Sequence, residues 1–378
     1  MANVPAQESY SKAFTVLFSK LKDPRRTSKG NIKYPFIEIL FLTVSSILCG
    51  QSDYTLIADF GKINLDWLRK FYPYSNGTCS DDVIGKLFQR INYCVLNECM
   101  IEWARSTYNL TDNEVIAIDG KRIRGSYDTL SGTLATHIVT AYASKQQICM
   151  GQLATEQKSN EITVIPLLLD AIDIEGAIVS IDAMGCQKEI ASKIIEKKAD
   201  YILAVKDNQK ILHEDIIDLF ASNAPKITNT TLELGHGRVE KRTATVINNL
   251  DTMIEKEGWL SLKSLTKIDT EITNKLTKKI TRETRHYISS CTDKSAEQMN
   301  AMVRQHWAIE NNLHWHLDVN FGEDGDRKRK GNAAKNFNIF NKIALTILQR
   351  DKTEKFSIKR KKFKAANRTE YRELLMKV

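Results

Sequence analysis

The stretch Glu114–Gly125, EVIAIDGKRIRG, decides the fold. Val115 to Ile118 form an unbroken apolar run that ends on Asp119 and the turn-forming Gly120. A short apolar run closed by a turn dipeptide predicts a strand buried on both faces. The same pattern recurs at Ala177–Asp182, AIVSID, which ends on Asp182. Between the two lie HIVTAYAS and ICMGQLATE, predicted as further strands of a meander. EITVIPLLLDAI then reads as an apolar helix, in which Pro166 is tolerable only near the first turn. Beyond AIVSID the chain alternates helix and strand through QKEIASKIIEKKA, DYILAVK and QKILHEDIIDLFA. Strands followed by alternating helices and strands predict an α/β architecture, a mixed sheet with helices packed on it.

Outward from this centre the texture changes twice. Residues 8 to 112 carry apolar positions at helical spacing, as in EILFLTVSSILCG and DDVIGKLFQRINY, which predicts an all-helical N-terminal domain over 1–112. Residues 225 to 292 hold three strand-like runs, RVEKRTATVI, WLSLKSLTKI and KKITRETRHYISS, and read as a β insertion within a domain spanning 113–350. Helical periodicity returns in AEQMNAMVRQHWAIENNLHWHLDV and KNFNIFNKIALTILQR. The tail from Asp351 to Val378 reads as a solvated basic segment without an apolar face.

Composition narrows the function classes. With 42% apolar and 27% charged residues in 378, and no apolar run of bilayer length, membrane-embedded, disordered and fibrous classes are excluded. Seven scattered cysteines without a Cys-x-x-Cys pair argue against a disulfide framework or a zinc site. No secretory leader is visible, so a cytoplasmic, nucleoid-associated location is expected. The net charge of +9 is unevenly placed: residues 327–378 hold 17 Lys and Arg against four acidic groups, and a second basic cluster occupies 12–33. A mildly acidic body with basic ends suits a partner made of phosphate.

A carboxylate at the end of a buried strand needs a partner. If the strands of Asp119 and Asp182 lie parallel and adjacent, about 4.8 Å apart, both carboxylates reach one divalent cation. The alternative is that each Asp caps the turn after it. A third carboxylate comes from the helix around Glu310. On a regular wheel Val303, Trp307, Leu313 and Leu317 fall within about 60° of it, which puts Glu310 inside the apolar stripe. Such a group calls for a counter-charge or a metal. His306 and His314 share that face and serve either packing or phosphate contact. Asp119, Asp182 and Glu310 together would form an all-oxygen site for Mg²⁺ or Mn²⁺. Two such ions clamp the attacking and leaving oxygens of a phosphoryl displacement. Lys121, Arg122 and Arg124, with Lys206, Asn208 and Arg238, stand beside the strand ends as candidate phosphate contacts.

AIDGKRIRG, QKSNEI, VSIDAMGCQ, DYILAVKDNQ, HGRVEKR and RQHWAIENNLHWHLDVNFGEDGDR resemble the insertion-sequence transposases of the DDE type, and within them the ISAs-one branch of H-repeat-associated proteins. The resemblance runs from about Phe14 to Arg350 and includes the segment preceding the catalytic domain. It implies an RNase H-like fold with Asp119, Asp182 and Glu310 as the catalytic, metal-holding triad and two Mg²⁺ or Mn²⁺ ions as cofactors. It also implies double-stranded DNA as partner, a homodimer in the synaptic complex, and DNA contacts extending to Arg304, Trp307, His314, Arg327 and Arg329. One departure stands out. The Tyr-x₂-Arg-x₃-Glu-x₆-Lys signature of a related group finds Val303, His306 and Leu317 at its offsets, with Arg304 and Trp307 nearby. A catalytically silent DNA-binding derivative and a metal-dependent nuclease with another substrate share parts of this reading. The complete carboxylate trio argues against the first, and the N-terminal segment and insertion against the second.

Overall fold

Val115 to Ile118 open strand β1 (Val115–Arg122) with all four side chains buried, as expected of a central strand. The structure is a computed structural model that describes residues 14–26, 30–107, 113–127, 132, 134–155, 161–235 and 237–376. Of the motifs quoted above, Glu156 to Asn160 and His236 lie outside the described residues. β1 pairs antiparallel with β2 (His137–Ala143), which pairs antiparallel with β3 (Ile148–Thr155), so the predicted meander forms. On its other side β1 runs parallel to β4 (Ile178–Ile181), and β4 runs parallel to β5 (Asp200–Val205).

Helix α5 (Glu161–Ala171) connects β3 to β4, and α6 (Lys188–Glu196) connects β4 to β5. Pro166 sits in the second turn of α5 rather than the first, at the cost of one backbone donor. Helix α7 (Lys210–Ala221) follows β5. Ile165, Leu168, Ile190, Ile194, Leu212 and Ile216 from these three helices share one core with the sheet.

The strand-rich stretch differs from expectation in two ways. It contains four strands, β6 (Ile227–Gly235), β7 (Arg238–Ile247), β8 (Ser264–Asn274) and β9 (Ile280–Ser289), where three runs were read. They also extend the same sheet: β9 pairs antiparallel with β5 through Ile202↔Ser289, giving nine strands in the order β3-β2-β1-β4-β5-β9-β8-β7-β6. The result is the RNase H-like mixed sheet flanked by helices, lengthened on one side by an antiparallel meander. Helix α8 (Ala296–His306) opens with a capping box at Ser295 and crosses this sheet, burying Met299, Met302 and Val303 against Val115, Ile178, Val246 and Ile268.

The N-terminal helices, α1 (Phe36–Leu48), α2 (Tyr54–Ile63), α3 (Asp81–Arg90) and α4 (Tyr93–Thr107), share a core with the C-terminal part of the chain. The connection is α10 (Ala333–Arg350), which follows the short α9 (Trp315–Val319) and whose Phe337, Phe340 and Ile343 belong to the same cluster. The apolar run at Phe36 is therefore a buried helix, and none of the described helices is long and apolar enough to cross a membrane.

The reading of the tail is corrected. Residues Ile358–Asn367 and Thr369–Leu375 form helices α11 and α12. Ile358, Lys361, Lys362 and Ala365 recur at helical spacing, and all four are buried. Lys361 Nζ donates to the Leu348 carbonyl (2.8 Å), and Lys362 Nζ to that of Asn320 while lying over the Phe321 ring. Arg372, 2% exposed, donates to Asn64 Oδ1 (2.8 Å) and stacks on Trp67. Long cationic side chains bury their methylene stems and satisfy their heads internally, which composition alone does not reveal.

Candidate active site

The parallel register that joins Ile118 to Ile181 makes Asp119 and Asp182 the next residues on neighbouring strands. Their backbones therefore stand about one strand spacing, ~4.8 Å, apart at the same sheet end. The turn-capping alternative is also realised, and it is compatible with this placement. Asp182 Oδ1 accepts from the Met184 and Gly185 amides (3.1 and 3.3 Å), and Asp119 Oδ1 from Gly120 N–H (2.9 Å). Each carboxylate is thus oriented by its own turn. Asn208 Nδ2, read as a phosphate contact, instead donates to the Ala183 carbonyl (2.7 Å) and pins the turn after Asp182.

Burial and the neighbouring Asp182, Glu310 and Glu161 raise the Asp119 carboxyl to about 7, against the pull of the Gly120 amide. Burial and nearby carboxylates together thus disfavour the anionic form of Asp119. That is the electrostatic condition a divalent cation relieves. His314 does not supply the missing charge. Its Nδ1 lies 3.4 Å from Asp119 Oδ2, but burial and the nearby cations Lys342 and Lys121 push its pKa down to about 3, so it stands neutral. His306 is likewise pushed down by burial, although Asp182 pulls the other way. His306 Nδ1 and His314 Nε2 are buried without a hydrogen-bond partner.

Glu310 departs from the wheel. Ile309, Leu313 and Leu317 are buried, but Glu310 is exposed. The cause is local: Ile309–His314 winds as a π-helix, and Trp315 N–H returns to the Glu310 carbonyl five residues back. The wider turn moves Glu310 off the apolar stripe, a distortion frequently found at functional sites. Its carboxyl is raised by partial burial and drawn down by Arg285. Among the described residues no group of three or more His, Cys, Asp or Glu is arranged to hold a metal ion. Asp119 and Asp182 fit a hard, oxygen-seeking cation by type and placement. Glu310 is near enough to raise Asp119 but is not gathered with the pair into one such group.

The remaining expected contacts, Lys121 apart, separate into two sets. Arg122, Lys206 and Arg327 are exposed. Arg124 is 78% exposed with a loose pair to Asp324, and Arg329 Nε meets the Gly125 carbonyl, because the turn Arg124–Ser126 packs on the turn Glu323–Gly325. A Cβ on Gly125 would lie 2.0 Å from the Asp326 carbonyl oxygen, so this junction requires glycine. Arg238, Arg304 and Trp307 line a cleft with Glu310. Lys121 has another occupation: it is ion-paired inside the protein to Asp318 and Glu323.

Several site residues escaped the sequence reading. Glu161 is buried against His137 Nε2 (2.5 Å), and a Cβ on Gly120 would meet both. Lys342 is buried with donations to Thr140 Oγ1 (2.7 Å) and Gln152 Oε1 (2.5 Å). The one available signal was an acidic residue opening an apolar helix, in the case of Glu161.

The sheet sets two aspartates at adjacent parallel strand ends, and a glutamate stands on the helical segment that follows the last strand. The chain belongs to the DDE transposase family: the family model described as "Transposase DDE domain" matches residues 110–347, and "DDE_Tnp_1-associated" matches residues 15–104. Among its relatives, "Putative transposase YncI" of Escherichia coli O157:H7 is 41% identical over 93% of this chain and 91% of its own. "H repeat-associated putative transposase YhhI" of Escherichia coli K12 is 38% identical over 92% and 93%. A piggyBac transposase synaptic complex with hairpin DNA aligns at a TM-score of 0.45 and 10% identity over 98% of this chain and 78% of that one, too slight a likeness to carry an argument. The resemblance to the DDE transposases is thus borne out, and H-repeat-associated proteins are among those the chain is similar to.

Proposed function

We propose that the protein cleaves double-stranded DNA at the terminal inverted repeats of its own element and joins the freed 3′ ends to target DNA. The observation that carries this reading is the side-by-side placement of Asp119 and Asp182 at parallel strand ends. Asp119 and Asp182 would hold Mg²⁺ or Mn²⁺, with Glu310 as the third carboxylate. Bound there, the cations would supply the chemistry of nucleophile activation and leaving-oxygen stabilisation in phosphoryl transfer. The turn amides at Gly120, Met184 and Gly185 keep the two aspartates aimed, and Asn208 fixes the second turn. Neutral His314 flanks Asp119 without neutralising it. Arg122, Arg124, Lys206, Arg327 and Arg329 form the phosphate-facing rim, whose attraction falls with rising salt. Synapsis of two ends is best served by a homodimer.

The test incubates the protein with Mg²⁺, DNA carrying its element's ends and a target plasmid. Specific nicking at the ends and joined product are expected, and both should vanish with Asp119→Ala. Absence of end-specific cleavage by the unaltered protein would overturn the activity, and cleavage surviving the substitution would overturn the site.

A further inference from the structure

A cleft of about 700 Å³ opens between the face of β7, β8 and β9 and the helices α8 and Ile309–His314, with Glu310 on its wall. Four arginines line it, namely Arg238, Arg242, Arg285 and Arg304. Arg242 is the informative one. It is 9% exposed, and among the described residues its guanidinium meets a 3.3 Å hydrogen bond from Nε to Asn300 Oδ1 and a loose 3.7 Å approach to Glu240. A guanidinium carries five donors, and a nearly buried cation so thinly compensated is costly. Burial lowers its proton affinity, against the pull of Glu240 and Tyr287, and the nearby Arg304 and Arg285 lower it further. An anion in the cleft would relieve all of this at once.

Arg285 is held ready for the same anion. Its guanidinium lies 4.4 Å from the Trp307 ring centre, a cation–π contact that fixes the orientation of the planar fork. Glu283 occupies one edge of the fork through Nε and Nη2 (2.7 and 3.1 Å). That carboxylate is 57% exposed and can turn out into water when a phosphate competes for the place. Trp307 thus serves as a platform for an arginine at the cleft wall.

We propose that this cleft is a phosphate-binding subsite in which Arg242 and Arg285 take a phosphodiester of the DNA strand that passes Glu310, with Trp307 as the residue that positions Arg285. The proposal rests on the reading of the protein as a DNA-cleaving transposase but is tested separately from it. Single-stranded tetrathymidylate, which has phosphodiesters but no element sequence, is titrated without metal against the full chain, with thymidine as the phosphate-free control. Unaltered protein should bind the tetranucleotide and not thymidine. Arg242→Gln and Arg285→Gln should each weaken binding roughly tenfold or more and reduce the salt slope by about 1. Trp307→Leu should weaken binding partway, and Trp307→Phe should restore it. Thermal melting checks that each variant folds. Should Arg242→Gln fail that check, Arg285→Gln, at a more open position, decides. Binding by a folded arginine variant within twofold of the unaltered protein, or equal binding of thymidine, would overturn the proposal. Failure to cleave element ends would leave this result standing, so the two readings fail independently.

Discussion

The two strand ends that carry Asp119 and Asp182 and the helical segment that carries Glu310 deliver carboxylates by opposite means. The strands are buried, hydrogen-bonded on both sides and followed by turns that clamp each Asp through backbone amides. The helix is locally unwound into a π-turn, and its Glu310 is exposed at the wall of an arginine-lined cleft. Two of the three candidate acidic groups are thus set by the sheet and its turns, and the third stands on a helical segment of irregular winding. The division is between a buried, fully paired sheet end, the rigid side, and a locally distorted helix.

The largest effect expected from breaking this division is at the rigid side. Asp119→Asn and Asp182→Asn, which keep shape but remove charge, should each reduce single-turnover DNA cleavage about a thousandfold or more, with little change in melting temperature. A variant that retains a tenth of the activity would contradict the role given to that strand end.

Next in size is the junction between the two parts. The turn after β1 packs so closely on the loop following the Glu310 helix that Gly125→Ala puts a methyl 2.0 Å from the Asp326 carbonyl oxygen. A destabilisation of about 2–3 kcal/mol is expected from such overpacking, read as a lowered denaturant midpoint. Gly325→Ala, where a Cβ meets nothing within 4 Å, is the matched control and should cost far less. Equal midpoints for the two variants would show that the junction is not tight.

The smallest effect concerns the seam where the parallel strands meet the antiparallel extension. There His286 on β9 is buried 3.1 Å from His213 Nε2, and burial together with His213 and Lys267 pushes its pKa to about 4, against Asp269. The folded chain keeps this imidazole neutral, whereas the unfolded chain protonates it near 6.5. Its contribution to stability is therefore complete above that value and is lost as pH falls from about 6.5 toward 4. Thermal melts between pH 7.5 and 5 should decline, and His286→Gln should flatten part of the decline. Parallel curves for the two proteins would remove His286 from the account.

The strand side was legible in sequence because VIAID, an unbroken apolar run, and IVSID, apolar but for Ser180, both end in Asp. The helix side was legible only in part. A regular wheel assumes constant winding, so it placed Glu310 with Leu313 and Leu317 and missed the π-turn that separates them. β6, ITNTTLELG, was passed over because it is an edge strand exposed along most of its length and carries no buried period-two pattern. Lys361, Lys362 and Arg372 were counted as solvated charge because their burial depends on carbonyls and rings distant in sequence. Arg242 and Arg285 attracted no notice for the same reason: the cleft they line exists only once β9 pairs with β5 and α8 lies across the sheet.

The central claim is that the sheet-borne pair and the third carboxylate serve one cation centre. Calorimetric titration of Mn²⁺ into the protein bound to element-end DNA tests it most directly, with Asp119→Asn, Asp182→Asn and Glu310→Gln compared at equal DNA occupancy. The account predicts that each substitution weakens Mn²⁺ binding roughly tenfold or more, Glu310→Gln included. Mn²⁺ affinity in Glu310→Gln within twofold of the unaltered protein would contradict it.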